Sequence, residues 1–150
     1  MKTYRLEREQ WIDRPIEPVF EFFSQAENLG LITPPWMHFR MRTPGPIEMQ
    51  EGTRIEYTIR LAGVPLAWRT RIGEWEPGKG FVDVQERGPY ASWSHRHEFR
   101  PQAGGVWMLD RVDYRLPLGP LGRLAHVLFV RATLSAIFDY RYQRVREIHA

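Results

Sequence analysis

The residues best suited to chemistry lie in one alternating run, Trp93-Ser94-His95-Arg96-His97-Glu98-Phe99. Successive side chains of a strand point to opposite faces, so Trp93, His95, His97 and Phe99 share one face while Ser94, Arg96 and Glu98 share the other. The tryptophan and phenylalanine mark the first face as buried, and the two imidazoles look inward with them, ~6.6 Å apart along the strand. A Gly104-Gly105 hairpin follows. A register that pairs Phe99 with Met108 sets His97 opposite Asp110 and Trp93 opposite Tyr114, and Met108, Asp110, Val112, Tyr114 and Leu116 then form the matching inner row. A carboxylate beside an imidazole under low dielectric is expected to favour the imidazolium.

In the run before, Phe81, Asp83 and Gln85 lie on one phase and Val82 and Val84 on the other, and either phase could face in. If Phe81 faces in, Asp83 and Gln85 join a polar patch on an otherwise aromatic wall. Buried polar groups cost energy unless they pair, so such a patch is either a self-satisfied network or a ligand contact. As chemistry, the patch offers His97, held by Asp110, as a general acid or base, with His95 beside it and Tyr114 placed to stabilise a developing enolate. His-x-His plus a carboxylate has acceptable metal-ligand types, but the pattern is weak, and the reading is no metal and no cofactor. No serine sits in a nucleophile elbow, and Ser92 and Ser94 point outward.

The elements that must position this patch can be read from the periods. Lys2 to Ile12 reads as a strand with Tyr4 and Leu6 on one phase and Trp11 on the other, which implies a bulge or an edge. Pro18 suits the first turn of a short helix carrying Val19, Phe20, Phe22 and Phe23. A second short helical piece, 26 to 31, ends at Gly30 and at an extended rim around Pro34-Pro35-Trp36, where Trp36, Met37 and Phe39 could close a cavity mouth. A period of two follows in strands at 38 to 43, 53 to 61, 66 to 72, 81 to 87, 93 to 99 and 106 to 116, joined by hairpin-length turns. From about Leu121 to Ile148 the apolar residues Leu124, Val127, Leu128, Val130, Leu134, Ile137, Phe138, Val145 and Ile148 recur as one broad helical face that needs a partner surface. The fold class is therefore α+β: a curved antiparallel sheet of about seven strands, two short helices after the first, and a long C-terminal helix enclosing a pocket against the sheet.

Composition sets the remaining bounds. The 150 residues read as one domain, 1 to 150, large enough for a real core. The chain has no cysteine, so neither disulfides nor thiolate chemistry enter. The N-terminal residues lack an apolar leader pattern and no stretch approaches the length of an uninterrupted apolar span, so a cytoplasmic protein without integral membrane association is expected. A net charge of +3 is carried mostly by arginines interleaved with acids rather than clustered, which argues against nucleic acid.

Element order together with Ile32-Thr33-Pro34-Pro35-Trp36, Phe81-Val82-Asp83, Gly88-Pro89-Tyr90, the Trp93 to Phe99 run, Asp110 to Gly119 and Phe138-x-Tyr140-Arg141 resembles the START-like or SRPBCC superfamily. Within it, the chain is most similar to the ligand-binding proteins often labelled polyketide cyclase/dehydrase-like. The resemblance implies a helix-grip fold with a deep cavity, and hydrophobic small-molecule binding or transport, with cyclisation or dehydration in some members. It carries no catalytic signature residue by residue, and fold alone is no warrant for chemistry. Two readings follow. In the first, a hydrophobic or aromatic ligand meets Tyr57, Trp68, Trp93, Phe99, Val112 and Phe138, with Asp83, Gln85, His95, His97, Asp110 and Tyr114 orienting its polar end. In the second, a cyclase, dehydratase or lyase uses His97 and Asp110.

Overall fold

The computed structural model describes residues 2–150. Seven strands form one sheet: β1 (Thr3–Ile12), β2 (Arg40–Met41), β3 (Arg54–Leu61), β4 (Val64–Glu76), β5 (Gly80–Arg87), β6 (Ser92–Gln102) and β7 (Gly105–Arg115). Their order is β1-β7-β6-β5-β4-β3-β2, every neighbouring pair antiparallel, so the short connections of the sequence become hairpins and the first strand closes against the last. Helix α1 (Ile16–Phe23) and two short 3-10 segments separate β1 from β2, and the long helix α2 (Gly119–Ile148) follows β7. This is the helix-grip architecture.

The β6–β7 register is the one the sequence implies: Phe99 pairs with Met108, His97 with Asp110 and Trp93 with Tyr114. The turn itself sits one residue earlier than expected. Gln102 pairs with Gly105, and Ala103 and Gly104 are the two central residues, with φ of 50° and 80°. A two-residue turn of this type needs positive φ at both positions, and the right-handed strand twist selects it even at the cost of an alanine there. β4 is longer than its apolar alternation suggests. It carries register shifts against β5 at Arg69/Thr70 and Ile72/Glu74, irregularities that bend a strand and increase its twist.

Several local expectations change. Of the two alternatives for β1 the edge position holds: the strand pairs with β7 alone and without a bulge, and Trp11 lies on the outer face, where it meets Trp107 at 5.4 Å between ring centroids. The rim at Pro35–Met37 is a 3-10 turn rather than an extended segment; it buries Met37 and leaves Trp36 exposed against Tyr140. The strand expected at 38 to 43 shrinks to Arg40–Met41, because His38 adopts a left-handed conformation that ends regular pairing. The broad apolar face read into α2 is the largest correction. Only Leu134, Phe138, Arg141 and Val145 form its deeply buried stripe along the final α-helical stretch, while Leu124, Val127 and Leu128 are exposed. A π-helical turn at His126–Val130 interrupts the periodicity between the two parts.

The core is two apolar clusters with a polar band between them. Phe20, Phe23, Phe81, Phe99, Met108 and Val145 belong to one; Trp68, Trp93, Val112, Tyr114, Leu134 and Phe138 belong to the other. Along the inner face of β6 the order Trp93, His95, His97, Phe99 passes from one cluster through the band into the other. β5 and β6 meet closely at the band. A Cβ on Gly80 would strike the backbone carbonyl of His97, so Gly80→Ala is expected to lower stability by about 1–3 kcal/mol through forced backbone movement beside the band. Urea denaturation of the variant checks this, and an unchanged midpoint would contradict the close approach.

Candidate functional site

A cavity of about 180 Å³ lies between the inner sheet face and α2. An engineered apolar cavity of about 150 Å³ accepts benzene, so this hollow suits a small ring system. β3 and β4 supply Tyr57 and Trp68, β5 supplies Phe81 and Asp83, β6 supplies Trp93, His95 and His97, and α2 supplies Leu134, Ile137, Phe138 and Arg141. Phe81 stacks on His97 at 4.2 Å and His95 stacks on His97 at 3.7 Å, which fixes the plane of both imidazoles.

The polar band is one connected network. His97 Nε2 lies 2.6 Å from Asp83 Oδ2, and His95 Nε2 lies 2.8 Å from Asp110 Oδ1. Arg141, 7% exposed, donates from one Nη to Asp110 Oδ1 at 3.3 Å and approaches His97 Nδ1 at 3.4 Å. With Nδ1 accepting from the guanidinium, the His97 proton belongs on Nε2, where it is donated to Asp83. Strand register places His97 opposite Asp110, but inner-face side chains lean along the strands, so Asp110 bonds to His95 and His97 turns to the neighbouring strand for Asp83. The partner expected for His97 is therefore replaced.

Electrostatics also departs from the expectation of an imidazolium. Burial, and then the adjacent His95, push His97 down to about 4, and the hydrogen bond with Asp83 does not offset them. The carboxylates stay charged for the converse reason. Burial raises Asp110, but the Arg141 charge and the His95 hydrogen bond hold it well below its usual range. Burial likewise raises Asp83, and its His97 bond with the surrounding positive charge brings it below the ordinary value. Tyr57 is driven upward by burial and then by the Asp83 charge, so its hydroxyl stays protonated as a donor.

Of the residues singled out in the sequence, Tyr57, Trp68, Asp83, Trp93, His95, His97 and Phe138 line the cavity. Asp110 does not; it stands behind His95 and Arg141 and holds both. Phe99 packs on Phe20 and Phe23 instead, and Val112 is fully enclosed in the core. Gln85 shares the inward phase of Phe81 but folds back to clasp the Tyr90 backbone, donating to its carbonyl at 2.9 Å and accepting from its N–H at 3.1 Å. Tyr114 does not line this cavity; its hydroxyl lies 2.7 Å from His126 Nε2, beside the crevice between β1 and the first half of α2.

Arg141 enters the sequence reading only within the Phe138-x-Tyr140-Arg141 run, without a role in the site. Its signal was present: with Leu134, Phe138 and Val145 it completes the spacing of the buried helical stripe, and an arginine on that stripe must meet a buried acid. Two buried donors on the lining residues also lack partners, Trp68 Nε1 and Arg141 Nε. Asp83, His95 and His97 present potential metal-ligand atoms all within 4.8 Å of one another. The Arg141 guanidinium beside them already supplies positive charge to the band, which disfavours a divalent ion there.

Solved structures share this architecture. The Zhui aromatase/cyclase from Streptomyces sp. R1128 superposes with a TM-score of 0.78 at 14% identity, over 99% of this chain and 94% of that one. A Thalictrum norcoclaurine synthase gives 0.70 at 13% identity, over 99% and 98%. A nucleoside-diphosphate sugar epimerase from Corynebacterium glutamicum gives 0.66 at 26% identity over 95% of this chain, which corresponds to 28% of that longer one. No family model and no curated protein matches the sequence.

The network has a pH signature. His97 is depressed from 6.5 to about 4, so the unfolded chain takes up its proton first, and the stability present above pH 6.5 declines as pH falls toward 4. The depressed Asp83 and Asp110 add a loss at lower pH still, as each protonates. Urea midpoints between pH 7.5 and 4 are expected to fall for the wild type and to fall less steeply for His97→Gln. Parallel curves would contradict a neutral buried His97.

Proposed function

From a helix-grip fold of the START-like or SRPBCC type, we propose that the chain binds, and so carries or sequesters, a hydrophobic or aromatic small molecule between the sheet and α2. The observation that carries this reading is an aromatic-walled hollow with one polar side, where Asp83, His95, His97 and Arg141 adjoin the rings of Tyr57, Trp68, Trp93 and Phe138. The Tyr57 hydroxyl, held protonated, offers a donor to an acceptor oxygen of a guest while the rings of Trp68, Trp93 and Phe138 cover its apolar body. The reading favours a ring system with a carbonyl or other acceptor at one end over a plain hydrocarbon.

A catalytic reading rests on a different observation, the 2.6 Å contact of His97 with Asp83 at the cavity wall. The similar structures include an aromatase/cyclase and a norcoclaurine synthase, so the fold accommodates catalysis. In this chain both ring nitrogens of His97 already face partners, and a base role would require Arg141 or Asp83 to give way. That geometry weighs toward binding.

Filling the hollow tests the reading. Ile137 lines the cavity and is only partly buried, so Ile137→Trp can occupy the space with little damage to the fold. Titration with anilinonaphthalene sulfonate, competed by small aromatic ketones, is expected to show saturable binding in the wild type and at least about tenfold weaker binding in the variant at matched thermal stability. Equal binding by both proteins would place the probe outside the cavity and sink the proposal. For the catalytic reading, His97→Ala is the test: if any compound that binds is consumed by the wild type and not by the variant, the protein is an enzyme.

A further inference from the structure

The first half of α2 is apolar where nothing in the fold covers it. Leu121, Leu124 and Leu128 follow one another along a single helical ridge, flanked by Leu118, Val127 and Phe129, and all six are exposed. Gly122 and His126 occupy the opposite, buried side. By length and composition the helix could cross a membrane, yet only 17% of its most apolar window is buried within the protein, so that composition is not explained by core packing. Soluble domains rarely expose an apolar surface this continuous without a use for it.

Charge identifies the occupant. No Asp or Glu occurs between Asp113 and Asp139, while Arg115, Arg123 and Arg131 do. Arg123, Val127 and Arg131 border an open crevice whose other wall carries Lys2, just before β1, and Arg5, Glu7 and Arg8 on β1. The acids nearby are already engaged, Asp113 by Arg5 at 2.7 Å, Glu7 by Arg111 at 2.7 Å and Asp139 by Arg8 at 3.3 Å. Lys2, Arg123 and Arg131 make no salt bridge among the described residues. An apolar ridge beside unneutralised cations is the pattern of a helix that lies in the interface of an anionic bilayer, side chains in the acyl boundary and cations at headgroup phosphates.

We propose that residues 118 to 131 dock this protein peripherally on a membrane bearing anionic phospholipid. The ridge Leu121, Leu124 and Leu128 inserts, Arg123, Arg131 and Lys2 meet the headgroups, and the remainder of α2 keeps its place over the sheet. A second protein subunit on the same ridge would be expected to bring carboxylates to those cations or to bury them, and a second copy of this chain would set arginine against arginine. Docking is independent of what the cavity holds.

Co-sedimentation of the full chain with vesicles tests it, using phosphatidylcholine alone and an equal mixture with phosphatidylserine, at low and high salt. Wild-type protein is expected in the pellet with the mixed vesicles at low salt and largely in the supernatant with phosphatidylcholine or at high salt. Arg123→Glu with Arg131→Glu is expected to weaken binding by about thirtyfold or more, and Leu121→Asp with Leu128→Asp to abolish it. Both pairs are exposed, so thermal melts should match the wild type, and the charge pair tests the proposal even if the leucine pair misfolds. Absence from both vesicle pellets, binding that neither pair disturbs, or a dimer in sedimentation velocity that the leucine pair dissolves would each overturn it.

Discussion

Everything in this molecule is arranged around one buried ion pair, Arg141 with Asp110. Neither charge can be removed alone without stranding the other in the interior, a loss of about 3–5 kcal/mol, so the pair ties α2 to β7 at one fixed height. From that tie the rest follows. Asp110 orients His95, Arg141 selects the tautomer of His97, and His97 in turn reaches Asp83 on β5. Three strands and the helix are thus joined by hydrogen bonds across a gap that side-chain packing alone leaves partly open.

The hollow exists because the apolar clusters meet the polar band on either side but do not close over it. Large rings from β3, β4 and β6 stand at one end, and rings from α1, β5 and β6 at the other. A band of imidazoles, with His97 neutral, and ionised carboxylates between them keeps that region from collapsing into plain core, since each polar group must retain its partner. Rigidity of this kind suits the proposed binding role, since a wall formed in advance would leave little ordering cost for a guest.

Much of this was legible in the sequence, and the divisions are physical. Periods of two gave the strands, and the Trp93 to Phe99 alternation with a hairpin-length turn gave the β6–β7 register down to individual pairs. Facing was therefore readable for Trp93, His95, His97 and Asp110 but not for Asp83, since either phase of the run from 81 to 87 could face in. Partner choice was not, because it depends on the lean of side chains and on neighbours two strands away: Asp110 went to His95, Gln85 to the Tyr90 backbone and Tyr114 to His126. The protonation of His97 was misjudged on the same ground, since it required weighing burial against a carboxylate whose distance sequence does not give. Arg141 could have been found from its place in the Leu134, Phe138, Val145 stripe. The exposed ridge before it could not, because a helical pattern does not say where its partner sheet ends.

The claim on which the account stands is that the hollow is built for a guest. Native mass spectrometry of the protein as purified from its own host addresses it without assuming the guest's identity. The account predicts a species heavier than the polypeptide by one small molecule, released on denaturation and carrying a ring system with an oxygen acceptor. Polypeptide mass alone, under native and denaturing conditions alike and from every preparation, would contradict it.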